Sequence, residues 1–405
     1  MKINLLPFQN FFLYLYFFAL NFESLNIGGV FSISKFIGIL YLISISPDLG
    51  FFFKLDKKIL FFLRPLFVFL LILFINSVLN INNISSKVFD FATLVNILLF
   101  VAIINHARKN YLILDKVIIF YIIGSLLLSI LIYLGFGTST STDGRTVIFG
   151  TNANALGINI ATSFMILIAT VFFNSFKLKK KKRFLLVFFF PVLLISLIGT
   201  ASRSAILVIL LSLIFLFYVR LSQNKNKIST TLSSILILVV ILIPVAYFVL
   251  QSEDFMARIL MTADTDSNLR LGGRLMLWDG FISIISTAPF FGYGYSGAIY
   301  ESFKYFGGTI VDDIAYTNSP HNVFLEVLLY TGLFGFLFFI YFISRIFYKS
   351  YILCKYEKTV IPVFLISPIL VYTLGNQALP VKFVWALLAY LVAMILFYPR
   401  VNYNK

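Results

Sequence analysis

Long apolar stretches recur along this chain and constrain its fold more than any other feature. Leu60 to Leu79 and Val117 to Leu134 are two of them. Each approaches the ~20 apolar residues that a helix needs to cross a bilayer. Twelve such stretches can be marked, at roughly 5–22, 27–46, 59–80, 88–105, 117–136, 154–175, 184–199, 204–219, 231–250, 321–343, 359–375 and 383–399. Composition agrees: 60% of the 405 residues are hydrophobic and only 12% are charged, whereas about one-quarter of a soluble domain is charged. The chain reads as an all-α polytopic membrane protein, a single integral membrane domain over residues 1–405. The first stretch, Leu5 to Phe22, lacks a small-residue cleavage site and reads as a retained anchor. Cys354 is the single cysteine, which excludes an internal disulfide and a cysteine metal cluster.

A net charge of +16 raises the possibility of nucleic-acid binding, and the placement of the charges decides against it. With the N-terminus inside, the inner loops collect Lys54, Lys57, Lys58, Arg108, Lys109, Lys116, the run from Lys177 to Arg183, Arg220, Lys225, Lys227, Arg345, Lys349, Lys355 and Lys358. The outer loops hold the smaller set Lys87, Arg145, Arg203, Arg258, Arg270, Arg274, Lys304 and Lys382. This asymmetry follows the positive-inside rule and places both termini in the cytoplasm. The basic run is then a topology signal beside anionic lipid heads. Lys35, inside a marked stretch, either snorkels or faces a cavity, and His106, at an inner helix end, is expected to meet lipid heads.

Most loops are short, and no internal repeat is visible. The exception is Gln251 to Pro320, about seventy residues that the alternation of sides places outside; so long a loop in a compact protein is usually functional. Within it, "GGRLMLWDGFISIIS" has helical spacing, with Leu275, Trp278, Ile282 and Ile285 on one face. Trp278 suits a helix lying at the membrane surface. "GYGYSG", Gly292 to Gly297, matches G-x-G-x-x-G, but a dinucleotide site also needs a preceding strand and a following helix in a βαβ unit. A tight turn is the better reading. "NIS" at Asn83 fits a glycosylation sequon, a pattern frequent by chance.

Two groups of residues point to chemistry. Arg145, Arg203 and Arg274 lie in outer segments beside Gly or Ser, and the planar guanidinium fork matches phosphate oxygens. Any one of them could instead pair with Asp143, Asp264, Asp266 or Asp279. Three together against the positive-inside rule favour an anion site. The second group is "SPHNVFLE". If a helix starts directly after Pro320, His321 falls in its first turn, where the positive helix end lowers an imidazole's pKa and favours anions. His321 would then serve as neutral general base or hydrogen-bond donor. Glu326, about one turn below Asn322, would orient Asn322 or be the base itself. Polar groups entering an apolar span are costly and usually functional.

These motifs resemble the superfamily of O-antigen polymerases and ligases (Wzy-type polymerases and related ligases). The pieces that carry the resemblance are "GRTVIFGTNANALG", "GTASRSAILVIL", "GGRLMLWDGF", "APFFGYGYSG" and "SPHNVFLEVLLYTGLFG". They run in the family's order from Arg145 to Gly335 around a large external loop. The resemblance implies a GT-C-like glycosyltransferase fold that uses polyprenyl-diphosphate-linked oligosaccharide and needs no cofactor, metal or nucleotide sugar. It implies Arg203, Arg274 and His321 as active-site residues, with Arg145 as a further diphosphate ligand. The expected setting is the bacterial inner membrane with the site facing the periplasm. The partners are membrane lipids and the lipid-linked sugar, with a chain-length regulator protein as a further candidate and no nucleic acid.

The leading expectation is a polymerase joining repeat units of O-antigen or capsular polysaccharide. An O-antigen ligase, which moves finished polymer onto lipid A core, would use the same chemistry. A flippase or transporter of lipid-linked sugars would instead show repeated halves and charge deep in the spans.

Overall fold

The computed structural model describes residues 5–23, 25–27, 31–82, 91–140, 146–173, 180–223, scattered positions from 231 to 251, 274–311, 314–357 and 359–398. In chain order their helices are α1 (Leu6–Ala19), α2 (Ile33–Ser44), α3 (Leu49–Phe52), α4 (Lys57–Leu79), α5 (Phe91–Lys109), α6 (Ile113–Tyr133), α7 (Ala153–Phe173), α8 (Lys180–Leu186), α9 (Phe189–Gly199), α10 (Arg203–Gln223), α11 (Arg274–Thr287), α12 (Gly294–Phe306), α13 (Val323–Glu357), α14 (Ile361–Gly375) and α15 (Lys382–Phe397). Three antiparallel hairpins interrupt them: β1 (Asn26–Ile27) with β2 (Phe31–Ser32), β3 (Thr138–Thr140) with β4 (Thr146–Ile148), and β5 (Thr309–Val311) with β6 (Ile314–Tyr316).

Six helices, α4, α5, α6, α7, α10 and α13, are long and apolar enough to cross a membrane, and α2 with Ser46–Phe52 adds a seventh if their 47° bend is one broken span. The apolar segments Arg183–Gly199, α14 and α15 are shorter. Each apolar stretch marked in the sequence meets a helix, and of 231–250 only scattered positions are described, all of them helical. A helix satisfies every backbone group within itself, which is what an apolar surrounding demands.

Helix starts follow their capping residues. Asp56 accepts from the amide of Ile59 (2.8 Å) to open α4, and Ser32 accepts from Lys35 (3.3 Å) to open α2. α7 and α15 are buried along almost their whole length, as for Ala389, Tyr390, Leu391, Val392 and Ala393. A helix apolar on every face belongs in the middle of a bundle. α13 packs on α4, α15 on α5, α1 on α6 and α2, and α10 on α7 and α14.

Polar contacts sort into two ends of this bundle. At one, Lys109 pairs with Asp48 (3.2 Å), Arg108 with Asp56 (3.5 Å), and Arg345 donates to the carbonyl of Phe61 (3.0 Å). At the other, Lys382 pairs with Glu23 (2.8 Å), and Asn322 Nδ2 donates to the carbonyl of Leu374 (3.3 Å).

Several sequence expectations need correction. The stretch 321–343 is too short: α13 continues to Glu357, so Arg345, Lys349 and Lys355 are helical and not in a loop. α13 is also two helices, because Gly332 has φ 57° and ψ −164°. Lys35 lies in the first turn of α2, with its ammonium 5.4 Å from the ring centre of Phe91. His106 meets no lipid: it is fully buried, bonded to Tyr41 Oη (3.0 Å) and Asn10 Oδ1 (2.7 Å). α11 is helical as expected, but its buried face is Gly280, Phe281 and Ile284, while Leu275 and Ile282 are exposed.

Candidate active site

Three motifs distant in sequence supply helix starts at the same end of the bundle. The turn "GTASRSA" places Ala201 at φ 43°, a conformation that non-glycine residues rarely adopt. Ser202 follows, buried, and its Oγ accepts from the amide of Ala205 (3.3 Å), capping α10. The same hydroxyl donates to Asn154 Oδ1 (3.3 Å). A Cβ on Gly157 would lie 2.5 Å from Ser202 Cβ, so the glycine lets α7 approach the turn. The "TNANALG" and "TASRS" motifs thus hold each other, and Arg203 is fixed as the first residue of α10.

Arg274 opens α11. One turn on, Trp278 Nε1 donates to the carbonyl of Pro320 (2.9 Å), which ties α11 to the turn before α13. That turn carries His321 at φ 47°. Asn322 is the cap of α13: its Oδ1 accepts from the amides of Phe324 (2.9 Å) and Leu325 (3.3 Å). His321 therefore precedes the helix and does not lie in its first turn, yet it still faces the positive helix end. Asn322 is oriented by backbone groups, with its amide on Leu374, and the orienting role expected of Glu326 is not needed.

The electrostatics link the three residues. Partial burial and, after it, the charge of Arg203 hold the Arg274 guanidinium below its ordinary pKa. Partial burial and then the charge of Arg274 lower the pKa of His321. No carboxylate among the described residues forms an ion pair with Arg274. Asp279 is exposed, and Asp143, Asp264 and Asp266 lie outside the described residues, as does Arg145. The result is a pair of guanidinium groups within electrostatic reach of each other and an imidazole that favours its neutral form, a set suited to an anion and to a neighbouring hydroxyl that gives up its proton.

Glu326 lies in the first turn of α13. It is buried, accepts from Tyr330 Oη (3.4 Å), and lines a cavity with Tyr295 and Gln377. Gly375, at the end of α14, was not legible as a site residue. A Cβ there would lie 3.2 Å from Arg274 Nη1, so the missing side chain leaves room for the guanidinium. The only sequence signal is its place at the head of the polar break "GNQ" between two apolar stretches.

No curated protein matches the chain. Residues 186–340 match the family model described as O-antigen ligase, a segment that includes Arg203, Arg274, His321 and Glu326. Over that segment the chain is similar to the O-antigen ligase family, in line with the resemblance carried by its motifs.

Proposed function

We propose that the protein is a membrane glycosyltransferase that joins polyprenyl-diphosphate-linked oligosaccharide repeat units, an O-antigen or capsular polysaccharide polymerase. One observation carries this reading: Arg274, which opens α11, is held by Trp278 against the turn that carries His321, and the charges of Arg203 and Arg274 bear on Arg274 and His321 in turn. Such a set fits a donor diphosphate. Arg203 and Arg274, with Arg145 as a further ligand, would grip its oxygens and stabilise the charge that develops as it leaves.

The acceptor hydroxyl attacks the anomeric carbon of the donor sugar. The new C–O bond forms as the bond from that carbon to the diphosphate oxygen breaks, and the lipid diphosphate departs with the electron pair. The hydroxyl proton passes to His321, whose lowered pKa keeps it neutral and able to accept. The diphosphate is already an activated leaving group, so ATP is not needed.

The twelve apolar stretches and the asymmetry of lysine and arginine support both termini in the cytoplasm and a site on the outer side, and the family resemblance supports a GT-C-like fold in the inner membrane. The description of the matched family favours a second reading, the ligase that transfers polymer to lipid A core. A deletion strain separates the two. Loss of a polymerase leaves single repeats on the core, whereas loss of a ligase leaves polymer on the lipid carrier.

A further inference from the structure

The most elaborately built feature outside the arginine and histidine set is the cavity at Glu326. It measures about 110 Å³ and is lined by Leu73, Thr93, Tyr295, Glu326, Tyr330 and Gln377, with Leu379 and Pro380 closing it. At about 30 Å³ per water, that is room for three or four waters or for one hydroxylated edge of a sugar ring. It is too small for a diphosphate with its lipid, and no Lys or Arg lines it to bind an anion.

Each wall is held by its own hydrogen bonds. Tyr295 is set by its amide, which donates to Ser77 Oγ on α4 (2.7 Å). The carbonyl at the break of α13 is taken by the Gly292–Tyr293 turn, with Tyr293 N donating to Leu329 O (2.9 Å). This fixes Tyr330, whose ring meets that of Tyr295 edge-on at 5.6 Å. Opposite, the Gln377 segment is pinned where Asn96 Nδ2 (3.4 Å) and Trp385 Nε1 (2.7 Å) both donate to Leu379 O. The "GYGYSG" motif, which makes no dinucleotide site, is here a wall of the cavity.

The cavity adjoins the arginine and histidine set through two shared segments. Glu326 is one helical turn below Asn322, and Gln377 follows two residues after Gly375, against which Arg274 rests. Carboxylate, amide, hydroxyl and aromatic groups are the set that hydrogen-bonds sugar hydroxyls and covers sugar rings.

We infer that this cavity is the acceptor subsite, in which Glu326, Tyr295 and Gln377 hold hydroxyl groups of the incoming neutral sugar so that one of them faces the donor. The inference rests on the glycosyl-transfer reading above and adds the group that selects the acceptor.

The test uses the full-length protein in lipid nanodiscs. The donor is a polyprenyl-diphosphate repeat unit, and the acceptor is the same repeat unit on a short alkyl aglycone. Lacking a diphosphate, that acceptor cannot act as donor. Glu326→Gln and Tyr295→Phe are each expected to raise the acceptor KM about tenfold, the effect of one lost hydrogen bond to a charged or buried partner. Donor KM and thermal midpoint should stay as in the unaltered protein. If Glu326→Gln fails to fold, Tyr295→Phe, which keeps the ring and its packing, carries the test. Unchanged acceptor KM in the folded variants, with the unaltered protein active, overturns the acceptor subsite alone. An unaltered protein that makes no product overturns the transfer reading and the subsite with it.

Discussion

Gly292 and Gly332 meet backbone to backbone: a Cβ on Gly292 would lie 2.5 Å from the amide nitrogen of Gly332. Around this contact the loop replaces the hydrogen bonds that the helix loses at its break. Leu333 N donates to Pro289 O (2.8 Å) and Phe334 N to Phe290 O (3.2 Å). The break separates a short half-helix carrying Glu326 from the long half that reaches the basic end of the bundle. The short half can thus be aimed by the loop, while the long half packs on α4 where Phe339 meets Phe69 and Arg345 donates to Phe61 O.

Gly332→Ala should therefore be among the most damaging single substitutions in the protein. Its φ and ψ lie where only glycine is comfortable, a cost of about 1–3 kcal/mol before any clash. A Cβ would also fall 2.3 Å from the carbonyl carbon of Phe290. The expected outcome is a thermal midpoint clearly below that of the unaltered protein, measured on detergent-solubilised material. An unchanged midpoint would mean that α13 runs straight through this position.

Gly375→Ala should do the reverse, sparing the fold and harming the site. Gly375 ends α14 without a positive φ, so alanine fits the backbone and shifts stability by no more than ~1 kcal/mol. Its methyl would press on Arg274 Nη1, the end of a flexible side chain, and displace the guanidinium slightly from its present position. Transfer rate should fall at least several-fold with normal membrane levels. Full activity in Gly375→Ala would detach Arg274 from the reaction geometry.

Arg203→Lys keeps the charge at the start of α10 but loses the two-pronged fork. Polymerisation should fall to a small residue in this variant, and also in Arg274→Ala, as read from the ladder of polysaccharide lengths in cells that contain normal amounts of the protein. A wild-type ladder in both would leave the two arginines without a ligand.

The sequence carried more of this molecule than its low complexity suggests. Apolar runs such as Val117 to Leu134 are helices because a continuous apolar run can satisfy its backbone within itself only as a helix. Arg203, Arg274 and His321 stood out in the sequence as polar residues among Phe, Ile and Leu, and Arg203 and Arg274 each open a helix while His321 stands in the turn before one. What periodicity could not supply was which face or end a residue meets. His106 looked like a headgroup contact, yet Tyr41 and Asn10 enclose it. The apolar face read on α11 was off by a residue or two, because in an apolar helix a small difference in packing selects Phe281 over Ile282. The break at Gly332 was hidden inside "LYTGLFGF", where glycine reads as an ordinary small residue until the loop from Pro289 to Tyr293 is brought against it.

The last prediction concerns the proton. His321 is one of two histidines in the chain, and the other, His106, is fully buried. Modification of His321 by an acylating reagent can therefore be followed against pH nearly alone, since only the neutral imidazole reacts. Burial, and then the Arg274 charge, both favour the neutral ring, so the inflection should fall below the ordinary histidine value of about 6.5. Arg274→Ala removes the second cause and should move the inflection upward while leaving it below 6.5, because burial persists. A bound diphosphate favours the imidazolium and should also move it upward. The acid limb of kcat/KM, which reports the free enzyme, should follow the lower value, and that of kcat the higher. His321→Ala should fold normally, since the side chain stands in the turn before α13 and not in the core, and should lose roughly 10²–10⁴-fold in rate. An inflection at or above 6.5 in the unaltered protein, or near-normal turnover by His321→Ala, would remove His321 from the proton transfer and leave it as a structural residue of the turn.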